Sequence, residues 1–129
     1  MHRTAGHSSP GAAAGAAAER LAARFLASRG LTLVARNVRY RFGEIDLICE
    51  DLGTLVIVEV RQRGRGDFGG SLQSVTASKR RRIARATARF VMLERRWRDR
   101  RIRFDVIGID GPPDERARLT WVRDAFRSA

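Results

Sequence analysis

Two extended runs, Gly43-Glu44-Ile45-Asp46-Leu47-Ile48 and Leu55-Val56-Ile57-Val58-Glu59-Val60-Arg61, flank the turn signal Glu50-Asp51-Leu52-Gly53. Both are rich in β-branched and apolar residues, so both read as strands of a hairpin. Each carries acid where a plain core strand would carry valine or leucine. Side chains alternate along a strand, which predicts Glu44 and Asp46 on one face of the first and Glu59 and Arg61 on one face of the second. Pairing then sets Asp46 beside Glu59 with a cation next to them. Carboxylates that close in an apolar sheet repel, and a buried charge is costly unless it is paired or coordinates a metal. A divalent cation, Mg²⁺ or Mn²⁺, is the simplest resolution.

The remainder of the chain supplies a frame for this hairpin. Residues 1–14 read as a disordered leader that contains His2 and His7, and residues 15–129 read as one domain. From Gly15 to Arg29, Ala18, Leu21, Ala22, Phe25 and Leu26 form one helical stripe, with Glu19 on its shoulder and Gly30 as the stop. Leu31 to Arg39 is a first strand. A Gly-rich basic loop, 64–70, follows the hairpin. A second helix from about Ser74 to Arg96 turns Val75, Ile83, Ala86, Phe90, Leu93 and Trp97 inward and arginines outward. Lys79 falls near its start, on the side facing the acidic strands, where it can meet a phosphate or a carboxylate. Arg101 to Ile109 is a fourth strand carrying Asp105, and Leu119 to Val122 a short final one, with Trp121 capping the core.

Charge narrows the partner. Of 129 residues, 26 are Lys or Arg against 14 Asp or Glu, a formal net charge of +12. A surface this basic attracts polyanions, nucleic acid above all. Every one of those cations except Lys79 is arginine, the residue suited to bidentate phosphate contact, although GC-rich codons favour arginine too. Arg63, Arg65, Lys79, Arg81 and Arg85 are the expected nucleic-acid contacts, and DNA is the expected partner. The lone cysteine, Cys49, reads as a buried reduced thiol and fits the cytoplasm. No run approaches the apolar length of a membrane span.

The ordered set Gly-Glu-Ile-Asp-Leu-Ile, acidic turn, Val-Glu-Val-Arg-Gln-Arg, together with Glu19, Ala22, Leu26, Gly30, Asn37, Arg39, Val75, Lys79 and Arg103-Phe104-Asp105-Val106, resembles the YraN-like family of small bacterial proteins. That family is in turn similar in pattern to nucleases of the restriction-endonuclease-like PD-(D/E)XK superfamily. The resemblance spans roughly residues 15 to 110. It implies an α/β fold with a restriction-endonuclease-like core, helix-strand-strand-strand-helix-strand, its mixed sheet flanked by helices. It also implies metal-dependent phosphodiester hydrolysis: Asp46 and Glu59 as metal ligands with the Val60 carbonyl, Glu19 as a third carboxylate, and Arg61 where the superfamily has lysine. A glutamate in a helix's first turn is equally what the helix dipole favours. Arginine stays protonated, so Arg61 can stabilise a developing anion but cannot act as a base. Two other readings stand beside hydrolysis. One is a nucleic-acid-binding module that kept the fold. The other is a basic scaffold in which Arg61 and Arg63 neutralise Asp46 and Glu59. Asp105 reads as structural, held by hydrogen-bond partners.

Overall fold

A computed structural model describes residues 10–63 and 75–127. The chain runs α1 (Pro10–Ser28), β1 (Thr32–Tyr40), β2 (Gly43–Asp51), β3 (Thr54–Arg63), α2 (Ala77–Leu93), a 3₁₀ turn (Arg95–Trp97), β4 (Ile102–Asp110) and β5 (Arg118–Phe126). The five strands lie side by side in sequence order. Every neighbouring pair is antiparallel except β3 and β4. A parallel pair needs a crossover, and α2 supplies it. This is an α/β fold with the mixed sheet and element order expected of a restriction-endonuclease-like core.

Each helix covers one face of the sheet. Ala18, Ala22 and Leu26 of α1 pack on Leu47, Cys49, Val56, Val58, Ile107 and Ile109. On the other face Ile83, Ala86 and Phe90 of α2 pack on Ile45, Ile48, Leu55, Ile57, Phe104 and Val106. Leu55 to Val58 is therefore buried from both sides, which is why β3 reads as an unbroken apolar run rather than an alternating one. α1 stops where the sequence signalled: Gly30, at φ 94°, lets its own N–H reach the Ala27 carbonyl and the Leu31 N–H reach Leu26.

The bounds of α1, α2 and β5 differ from the sequence reading. α1 begins at Pro10, five residues inside the stretch expected as leader, and proline suits a first helical turn. α2 is shorter than expected, starting at Ala77, where the Thr76 hydroxyl accepts the Lys79 N–H at 3.1 Å, and ending at Leu93. β5 is nine residues long, not four. The expected loop 64–70, with Arg65, and the helix start at Ser74 lie outside the described residues.

Strict alternation also fails, at one place that matters. Ile45 and Ile48, three apart, both join the α2-side core, while Leu47 and Cys49 join the α1-side core. The pleat of β2 thus slips at Asp46. Its neighbour β1 slips too, for Ala35 and Val38 both face α2, and between them Asn37 takes a left-handed φ of 52°. The paired ladder of β2 with β3 runs from Asp51–Thr54 only as far as Leu47–Val58.

Candidate acidic site at the end of the central hairpin

Where that ladder stops, a side chain takes over the backbone's role. The Val60 N–H donates to Asp46 Oδ2 at 2.8 Å. One step beyond the pair Leu47–Val58, Asp46 falls opposite Glu59, and their carboxyl groups are hydrogen-bonded to one another. Because the strand slips at this point, Asp46 is also within reach of α1: Glu19 hydrogen-bonds Asp46 and the Asn37 side chain. Three carboxyl groups from α1, β2 and β3 therefore form a chain with Asp46 at its centre.

Electrostatics singles out the middle member. Asp46 keeps a little accessible surface but is packed on nearly all sides. Burial pushes its carboxyl well above the usual aspartate range, the Glu59 charge pushes it further, and only the Val60 N–H pulls it back. Burial raises Glu19 as well, against the hydrogen bonds from Asn37 and Asp46. Touching carboxyl groups resist a second negative charge, and at this junction it is the buried Asp46 whose carboxyl is pushed up.

Glu59, 7% exposed, has a different partner. Lys79 of α2 sets Nζ 2.5 Å from its Oε2, so the one lysine of the chain points at the acidic strands as its sequence position implied. The site offers only oxygen donors, which suits a hard cation. Among the described residues, however, no three His, Cys, Asp or Glu side chains surround one point as metal ligands. For an ion to enter, Asp46 must be ionised, which its burial opposes, and Lys79 must swing off Glu59.

The arginines divide by role. Arg61 is partly buried, two residues past Glu59 on β3. Arg63 clamps Asp110 of β4 with Nε to Oδ1 at 2.9 Å and Nη2 to Oδ2 at 2.5 Å, so it does not reach the acidic chain. Arg81 and Arg85 stand exposed on α2. Asp105, fully buried, accepts two bonds from Arg103, one from Trp121 Nε1 and one from the Asp124 N–H, each at 2.9 Å. Its oxygens are fully used, and it serves the fold. Asn37, which the sequence marks only through the family resemblance, joins the site through its hydrogen bond to Glu19. The signal was an asparagine inside a β-type run, since asparagine tolerates left-handed φ better than its neighbours do.

Fold and site together define a small, strongly basic α/β protein with a carboxyl chain at one end of its central hairpin. The chain belongs to the Uncharacterised protein family UPF0102, whose model matches residues 18–109 and so takes in Glu19, Asp46, Glu59 and Lys79. It is similar to a UPF0102 protein of Dechloromonas aromatica, 49% identical over 114 residues, 88% of each chain. It is likewise similar to one of Legionella pneumophila, 46% identical over 110 residues, 84% of this chain and 90% of that one. A third relative, from Pseudomonas fluorescens, is 43% identical over 111 residues, 86% of this chain and 90% of its own. The YraN-like resemblance is thereby borne out at the level of the family. Among the described residues no helix is long and apolar enough to cross a membrane.

Proposed function

We propose that the protein is a nuclease that hydrolyses phosphodiester bonds of DNA or another structured nucleic acid, with Mg²⁺ or Mn²⁺ held by Asp46, Glu59 and the Val60 carbonyl and Glu19 completing the acidic set. The observation that carries this reading is the position of Asp46 between two other carboxyl groups. Like charges gathered at a buried point are unfavourable for folding alone, and a cation would relieve them. A divalent ion bound there would supply Lewis-acid chemistry at the phosphate. The chain's own groups do the rest. Glu19 orients Asp46 and, through Asn37, is itself held in place. Lys79, released from Glu59, offers an ammonium to the phosphate, and Arg61 adds a fixed positive charge that cannot take up a proton. The exposed Arg81 and Arg85, within a net charge of +12, hold the polyanion by its backbone. The single buried Cys49 suits the reducing cytoplasm, where we place the protein.

A second reading is a nucleic-acid-binding module without cleavage. The occupation of Glu59 by Lys79 favours it, since that ion pair must break before a metal enters. Incubation of labelled single-stranded, branched and duplex DNA with Mg²⁺ or Mn²⁺ separates the two. Cleavage by the wild type that is lost in Asp46→Asn and in Glu59→Gln, with DNA binding kept, establishes the nuclease. Binding without cleavage in all three proteins establishes the module.

A further inference from the structure

Beside the acidic chain lies a cleft of about 350 Å³ that shares only Lys79 with the proposed phosphodiester site. It opens at the β1–β2 turn, between that turn and the first turns of α2, and Tyr40, Arg41, Phe42, Glu44, Lys79 and Arg82 line it. Its aromatic wall is built in advance. Tyr40 is packed against the α2-side core, and Phe42 stacks on Tyr40 with ring centres 5.9 Å apart and planes 20° from parallel. Phe42 is nonetheless 40% exposed, so its ring is accessible from the cleft it lines. Cations line the cleft too: Arg41 on the turn and Arg82 on α2 are exposed, and Glu44 is already met by Arg39 at 3.5 Å.

We infer that this cleft takes one unpaired nucleotide, its base stacking on Phe42 and its phosphate lying against Arg41 and Arg82. The inference rests on the proposed nucleic-acid reading and adds the class of substrate: a strand with a base out of the duplex, rather than continuous duplex. A volume at the small end of ligand pockets admits one base with its sugar and excludes a double helix. Every base has a π-face, so stacking is tolerant of sequence, and it requires that the base be free of its own stack. A ring already fixed by Tyr40 gives that stacking at little entropic cost. Lys79 belongs both to the cleft wall and to the ion pair with Glu59. A nucleotide seated on Phe42 therefore delivers its backbone to the acidic chain.

The test is binding, read by fluorescence anisotropy in EDTA so that no cleavage intrudes. The probes are a blunt DNA duplex, the same duplex with a single-stranded tail, the same tail without bases, and the tailed probe with its tail made of RNA. The proteins are wild type, Phe42→Ala and Phe42→Tyr, whose matching melting temperatures confirm folding. Phe42→Ala is expected to weaken the base-bearing tailed probe roughly tenfold, the size of one stacked base, and to leave the blunt duplex unchanged. Phe42→Tyr keeps wild-type affinity. The tail without bases binds wild type as weakly as the normal tail binds Phe42→Ala, and the RNA tail shows whether the sugar matters. Equal effects of Phe42→Ala on blunt and tailed probes, or none on either, overturn the cleft while nucleic-acid binding stands. Failure of wild type to bind any probe overturns both.

Discussion

Lys79 Nζ and Glu59 Oε2 lie 2.5 Å apart across the gap between α2 and β3, one partner about half exposed and the other buried. Removing the cation leaves a buried carboxylate without its counter-charge. For a fully buried pair that costs about 3–5 kcal/mol, and because Lys79 stays close to water the expected loss for Lys79→Met is smaller, about 1–3 kcal/mol. Thermal or urea denaturation checks it. Glu59→Gln in the Lys79→Met background should restore part of the loss, and a double-mutant cycle with no coupling would show that the pair adds nothing to stability.

Asp46 sets a pH dependence whose sign follows from its environment. Burial first, and the Glu59 charge second, raise its folded-state value above the ordinary 3.8. The folded protein therefore binds this proton more tightly than the unfolded chain does, so the contribution is fully present below 3.8 and is lost as pH rises toward the folded-state value. Asp46→Asn has no such slope. The variant should match wild type at about pH 4 and exceed it in melting temperature at about pH 7–8. Millimolar Mg²⁺ should raise the wild-type melting temperature at the higher pH and leave the variant unmoved.

Cys49 is buried, and burial pushes its thiol up to about 12. The thiolate is the reactive form, so at about pH 8 only roughly one thiol in 10⁴ is reactive even where reagent can enter. Iodoacetamide labelling followed by mass spectrometry should show no modification of the native protein and complete modification in denaturant. Rapid native labelling would mean that the α1-side core opens more often than its packing indicates.

Gly43 begins β2 directly beneath α2. A Cβ at this position would collide with the main-chain carbonyl of Arg82, an atom that cannot rotate away. Gly43→Ala should therefore destabilise by about 1–3 kcal/mol, the usual range for forcing volume into a packed site. It should also lift α2 from the β1–β2 turn, measurable as faster amide exchange in the first turns of α2.

The sequence disclosed the parts of the site that depend on local pattern. A strand interrupted by acid marks Asp46 and Glu59, and a glutamate on the shoulder of an apolar stripe marks Glu19. It hid the parts that depend on departures from pattern. A period-two reading puts Asp46 on one face of β2, whereas a one-residue slip gives it contact with α1 as well as with Glu59. Asn37, whose left-handed φ accompanies the matching slip in β1, could be recognised only once β1 and β2 were seen paired. Arg63 looked free for nucleic acid because its partner Asp110 lies 47 residues away. β5 looked short because an edge strand alternates poorly. Asp124, at φ 51°, breaks its period further while its N–H closes the shell of Asp105.

The parallel contact of β3 with β4 fixes the order in which the molecule can mature. Glu19, Asn37, Asp46, Glu59 and Lys79 all precede β4 in the chain, yet Glu59 lies beside Val106, a residue of β4. Until α2 has laid β4 alongside, the acid-bearing edge of the nascent hairpin is open to water and its carboxyl groups are ordinary ones. The last third of the chain supplies none of the three carboxyl groups, and by shutting that edge it turns a hydrated group of acids into a buried one.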